Sequence, residues 1–410
     1  MSTAAFAGES SLGFPLGEKS RLHTNLTLGV GYDTNPVRAD SGSEFGGTKA
    51  RISPSIAVSI PGSAFNLGLN GGMNIDQFIT GGKPCNASEG NGSANSSATC
   101  LGGYVNLAVR GGSSNSLLAF ELDGGLTASP TDVFAPPRPS VNAAQSNQTS
   151  ILSDLGADEL RHSVFRILAS PKLVLRPGGG ALEFRLGYSA DLLAFDALGD
   201  SSRHRGTFEG KLRFLPRTAA VMNADFASWT GTDSEGGTIS ATPYNVSLGL
   251  RGQITSRLQT AVSLGYGDAL NEEGQGQQQG VIARTMLRYL FARNMNISVG
   301  YNRGIDNVLR LASFLSNTGF LNASFVVAER LKIELASSFE LRTFANGSSA
   351  QVAIAGLRAG YQFFDFLNAN LTYQLLSQAV DQSSNMATSQ LIDLTGYQRH
   401  VVMFGIGLRY

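Results

Sequence analysis

The feature that most constrains this chain is a two-residue hydrophobic period that recurs along its length and runs to the last residue. From His400 to Tyr410, the residues His400, Val402, Phe404, Ile406, Leu408 and Tyr410 share one side of an extended strand, while Arg399, Val401, Met403, Gly405, Gly407 and Arg409 share the other. Between Arg21 and Asp33 the same alternation sets Leu22, Thr24, Leu26, Leu28, Val30 and Tyr32 against Arg21, His23, Asn25, Thr27, Gly29 and Gly31. A helix scatters such a pattern around its axis, whereas a strand gathers it into one apolar and one polar face. The polar face is rich in Gly, Ser, Asn and charge, so the sheet is expected to separate two different surroundings.

The connections sort by length. Tight turns at Gly112–Asn115, Pro216–Arg217, Thr255–Arg257, Ala328–Arg330 and Phe364–Phe366 alternate with longer polar connections such as 128–160, 230–242 and 377–397. A β-sandwich has no reason to put its short loops at one end, but a transmembrane barrel does. Charged residues are 15% of the chain, against about 25% in an ordinary globular protein. No stretch approaches the roughly 20 apolar residues that a transmembrane helix needs. On the apolar face, Tyr32, Tyr188, Tyr266, Tyr301 and Tyr373 fall near the long-connection end, and Phe214, Tyr289, Phe291, Tyr361, Phe363 and Tyr410 near the short-turn end. Two aromatic girdles follow, because an apolar ring with a polar tip is satisfied at a membrane interface. Trp229 has the opposite parity, which this pattern does not explain.

The expected fold is therefore all-β, a single transmembrane antiparallel barrel of about 18 strands with both termini periplasmic. Sixteen strands is the nearest alternative, because the segments near 218–228 and 313–327 alternate poorly. Residues 1–20 are expected to form a periplasmic N-terminal segment and 21–410 the barrel. The opening residues Met1–Gly8 hold no basic segment followed by an apolar core, and read as the start of a processed chain.

The closing strand and its terminal aromatic resemble the C-terminal signal of bacterial outer-membrane β-barrels. That resemblance implies outer-membrane lipid as the surroundings and the barrel-assembly machinery as a partner. The run Gly31-Tyr32-Asp33-Thr34-Asn35-Pro36 resembles a motif of β-barrel porins, some of which are encoded with exopolysaccharide-secretion systems. This implies a conduit for export of a secreted polysaccharide and a periplasmic polysaccharide-export partner. Asp-Thr-Asn-Pro is also plain turn chemistry, and that reading stays open. A general diffusion porin for small solutes, or a surface barrel whose loops bind a partner, are the alternative functions.

Carrying the parity through the strands puts Arg51, Arg166, Arg185, Arg203, Arg205 and Lys211 on the polar face, together with Arg213, Arg251, Arg284, Arg288, Arg342 and Arg358. These are the candidate lumen-lining residues for transport. Acidic members such as Asp76, Glu183, Asp191, Glu209 and Asp225 are fewer, so a chain of zero formal net charge is expected to hold a positively biased lumen. Rings of arginine and lysine are how pores select anions. The alternative is a salt-bridge lattice, which Glu183 with Arg185, Glu209 with Lys211 and Lys332 with Glu334 allow. Apolar spacing in Ile151, Leu152, Leu155 and Leu160, and in Ile305, Val308, Leu309 and Leu311, suits either an inward constriction or loop-on-loop packing.

Cys85 and Cys100 bracket a stretch rich in Asn, Ser and Gly and are expected to form a disulfide outside the membrane, with two free thiols as the alternative. Only His23, His162, His204 and His400 are available as catalytic bases, and no nucleotide-binding glycine motif or metal-ligand spacing accompanies them. No enzymatic activity, cofactor or metal is expected. Zero net charge gives no basic footprint for nucleic acid.

Overall fold

A computed structural model describes residues 13–17, 20–35, 46–62, 64–80, 98–113, 116–130, 163–195, 200–232, 237–270, 278–292, 294–307, 313–344, 348–381 and 396–410. Its first strands are β1 (Phe14–Pro15), β2 (Arg21–Asp33), β3 (Gly47–Ile60), β4 (Phe65–Phe78), β5 (Ala98–Gly111), β6 (Leu118–Pro130) and β7 (Ser163–Leu175). There follow β8 (Leu182–Phe195), β9 (Ser201–Leu215), β10 (Thr218–Thr232), β11 (Thr238–Ala241), β12 (Tyr244–Gln253), β13 (Leu258–Asp268) and β14 (Gln279–Ala292). The last are β15 (Met295–Asn307), β16 (Ser313–Val327), β17 (Leu331–Phe344), β18 (Ser349–Phe364), β19 (Leu367–Asp381) and β20 (Tyr397–Arg409).

Strands β1 and β11 are short additions to β2 and β10. The other 18 pair antiparallel in sequence order, and β20 returns to β2 to close the barrel. Closure matters in lipid, where each unpaired edge N–H or C=O costs several kcal/mol. Both poorly alternating segments are full strands, β10 and β16. Their pattern is blurred because some inward positions are as apolar and buried as the outward ones are exposed: Ala219, Val221, Ala227 and Trp229 on β10, and Phe314 on β16. The tight β16–β17 turn holds Ala328 and Glu329 at positive φ, 51° and 61°, the signature of a hairpin turn whose twist matches that of the strands.

The closing seam is fastened at both ends. Near the short turns, Thr24 and Tyr410 exchange backbone N–H and C=O bonds at 2.9 Å each, and Phe14 packs on the Tyr410 ring at 4.6 Å. At the other end the Asp33-Thr34-Asn35 motif reaches β20, 366 residues away. The Asp33 carboxylate accepts from Arg399 Nε at 3.0 Å and from Nη2, and also from the Asn35 N–H at 3.1 Å. Thr34 N–H donates to the His400 carbonyl at 2.9 Å, and His400 N–H donates back to Thr34 Oγ1 at 2.8 Å. The Asn35 side-chain amide donates to the Gln398 carbonyl at 3.3 Å. The motif is therefore the latch between the first and last barrel strands.

The outward face carries the exposed Leu, Ile, Val, Phe and Tyr side chains. At the long-connection girdle the tyrosines share one geometry. Tyr188 meets His204 Nδ1 at 2.6 Å, Tyr266 donates to Gln279 Oε1 at 2.7 Å, Tyr301 donates to Asn317 Oδ1 at 2.8 Å, and Tyr373 meets His400 Nδ1 at 2.9 Å. Each partner lies on the following strand, two residues closer to the long connection than the residue paired with the tyrosine. In the first hairpin that position is Gly46, where a Cβ would overlap the Tyr32 hydroxyl. At the short-turn girdle, Tyr289 packs edge-on against Phe291 and Tyr361 against Phe363, with ring centroids 4.6 and 4.8 Å apart. An apolar band between two aromatic belts makes this a membrane-spanning barrel of the outer-membrane kind.

Candidate transport lumen

Strand register puts all twelve basic candidates on the inner face, together with Lys49, Arg110, Arg399 and Arg409. In the half nearer the long connections these groups are neutralised. Arg51 grips Asp76 with two parallel hydrogen bonds, and Lys49 Nζ lies 3.6 Å from the same carboxylate. Arg166 holds Asp191 in the same forked way. Arg205 pairs with Asp225 at 3.0 Å, and Arg342 with Glu340 at 2.9 Å. Glu340 also accepts from Ser316 Oγ at 2.6 Å, and the Arg342 guanidinium lies 5.2 Å from the Phe314 ring centre. Lys49 and Arg342 are each 1% accessible. Buried apolar groups share this half of the inner face: Phe78, Phe314, Phe344, Val352, Leu376 and Tyr397. Trp229 is among them, and its indole N–H donates to Ser201 Oγ at 3.2 Å. Its parity is explained by an inward, buried position.

Towards the short turns, paired and unpaired cations are mixed. Arg213 and Arg251 both pair with Ala219, one from each side of β10, so their backbones are two strand spacings, about 10 Å, apart. Lys211 and Gly249 flank Val221, and Ser263 lies between Gly249 and Arg284. Basic side chains thus border a floor of small residues. Arg251 has only a distant carboxylate, Glu209 at 3.9 Å, and Arg284 Nε donates to Asn302 Oδ1 at 3.3 Å. The side chains of Lys211, Arg213, Arg288 and Arg358 form no ion pair or hydrogen bond among the described residues, and Arg288 Nε is buried without a partner. Arg213 and Arg358 are exposed.

Two of the same-strand pairs expected from the sequence form: Arg185 with Glu183 at 2.8 Å, and Lys332 with Glu334 at 2.6 Å. Glu209 does not pair with Lys211. It lies between strands, 4.0 Å from Arg185 and 3.9 Å from Arg251. Arg110 with Asp123 at 3.0 Å, and Arg399 with Asp33, are further inner-face pairs, consistent with the parity of their strands. Arg203 also faces inward, near the long-connection end of β9. Cys100 is disulfide-bonded and Cys85 lies outside the described residues. The expected constrictions at 151–160 and 308–311 also lie outside them.

No protein-family model matches the sequence, and no curated protein matches it. Among solved structures the chain is similar to the outer membrane protein OpdK from Pseudomonas aeruginosa, at 11% identity and TM-score 0.46, covering 95% of this chain and 99% of that one. It is similar to OccAB4 from Acinetobacter baumannii, at 8% identity and TM-score 0.47, covering 95% and 98%. The FrpB iron transporter from Neisseria meningitidis aligns at 7% identity and TM-score 0.46, covering 95% and 81%. Nothing about solute or partner follows from likenesses this distant.

Proposed function

We propose that this chain is a porin-like channel of the bacterial outer membrane that passes small solutes and favours anions. The observation that supports the preference is the set of inner-face cations that form no ion pair or hydrogen bond among the described residues, Lys211, Arg213, Arg288 and Arg358. An 18-strand barrel is wide enough to enclose an aqueous passage. Charges in a low-dielectric wall concentrate ions of opposite sign.

The polysaccharide conduit implied by the sequence motif gains no support. The motif's residues are occupied at the barrel seam. The small-solute alternative fits better. Proteoliposome swelling tests it: small carboxylates are expected to enter faster than neutral sugars of equal size, and long dextrans to be excluded. Liposomes that do not swell in any small solute would rule the channel out.

A further inference from the structure

The outer wall carries a cation that transport through the lumen does not use. Among the described strand residues, Arg303 is the only lysine or arginine with outward parity, since Tyr301 and Arg303 on β15 pair with Gly319 and Asn317 on the outward face of β16. A charge facing lipid is costly at the middle of the membrane and tolerable only near its interface. Arg303 lies two residues beyond Tyr301 towards the long connection, about 7 Å further along the strand, where hydrocarbon gives way to headgroups.

The protein satisfies this guanidinium only in part. Its Nε donates to the Val281 carbonyl at 3.1 Å, and Nη1 reaches Asn317 Oδ1 at 3.5 Å. No carboxylate among the described residues pairs with it. The Tyr301 hydroxyl also donates to Asn317 Oδ1, at 2.8 Å, which fixes the amide with its oxygen engaged. The Asn317 NH2 and the remaining guanidinium N–H groups are left as neighbouring donors. Asp268, which has outward parity on β13, is 5% accessible and accepts the Leu270 N–H at 3.1 Å. Clustered donors around a fixed positive charge, at headgroup level, complement a phosphate ester.

We infer that Arg303 and Asn317 bind a phosphate of lipid A, the phosphorylated anchor of lipopolysaccharide, in the leaflet on the long-connection side. The inference rests on the outer-membrane reading with the long connections outward, because lipopolysaccharide occupies the outer leaflet. The girdle tyrosine then has a second task, since its hydroxyl orients the amide that would face the phosphate.

The test uses the full chain in phosphatidylcholine nanodiscs, with native mass spectrometry of bound lipid during titration with bisphosphorylated lipid A, dephosphorylated lipid A or phosphatidylglycerol. Wild type is expected to retain bisphosphorylated lipid A roughly five- to tenfold more tightly than Arg303→Gln, the scale of one interfacial cation, with Arg303→Lys between them. Equal retention by wild type and Arg303→Gln would overturn the site, as would equal retention of the dephosphorylated lipid. Equal retention of phosphatidylglycerol would overturn its assignment to lipid A. Arg303→Gln must still show the heat-sensitive gel migration of a folded barrel; if wild type itself does not insert, the membrane reading fails before the site is reached.

Discussion

The inner face uses arginine in two ways. At the long-connection end, Arg342 and Arg399 are buried, each gripping a carboxylate: Arg399 ties β20 to Asp33 of β2, and Arg342 holds Glu340 of its own strand. At the short-turn end, Arg213 and Arg358 are exposed and have no ionic partner among the described residues. A basic residue on the inner face is therefore not by itself a transport residue. Register alone does not separate the two kinds: Glu334 stands opposite Arg358 and Glu183 opposite Lys211, yet Glu334 is engaged by Lys332 and Glu183 by Arg176 and Arg185.

The comparison predicts a hierarchy of stability effects. The largest belongs to the seam: Asp33→Ala leaves Arg399 buried without its counter-ion and is expected to cost about 3–5 kcal/mol. The double variant Asp33→Ala with Arg399→Met is expected to recover most of that loss, because it leaves no orphaned charge. Urea unfolding in lipid vesicles measures both, and a double variant no better than the single one would show that the latch acts through more than its ion pair. Next, Arg342→Gln, which strips a charged partner from Glu340, is expected to cost about 1.5–3 kcal/mol. By contrast, Arg358→Gln at the other end should stay within about 0.5 kcal/mol of wild type. Equal costs would erase the distinction between paired and unpaired arginines. Between these, Tyr301→Phe removes one exposed hydroxyl bond and should cost at most about 1 kcal/mol in the same assay.

Much of this architecture is legible in the sequence because a barrel strand writes its two surroundings into alternate residues. The bounds Arg21–Asp33, the inward parity of all twelve basic candidates and the aromatic belts follow from that period. The period fails where the inside is also dry. On β10, Ala227 and Trp229 are buried inward while Phe226 is exposed outward, and apolar residues on both faces leave no contrast to read. Pairing is hidden for a different reason. Nothing local to Asp33 announces Arg399, and Glu209 finds its partners across strands rather than two residues along its own. The Asp-Thr-Asn-Pro run does make the turn contact its residues suggest, Asn35 N–H to the Asp33 carboxylate, and the same groups also bind β20, which no local pattern shows.

If the unpaired cations of the short-turn half set the ionic preference, reversal potentials across a potassium chloride gradient in planar bilayers show it most directly. Wild type is expected to be anion-selective. The preference should weaken as salt rises, because the screening length shrinks from about 10 Å at 0.1 M to about 3 Å at 1 M. Replacing Lys211, Arg213, Arg288 and Arg358 together by Glu should reverse the sign of the potential while the protein still migrates as a folded, heat-sensitive barrel. A cation-selective wild type, or a folded quadruple variant with an unchanged reversal potential, would contradict the account.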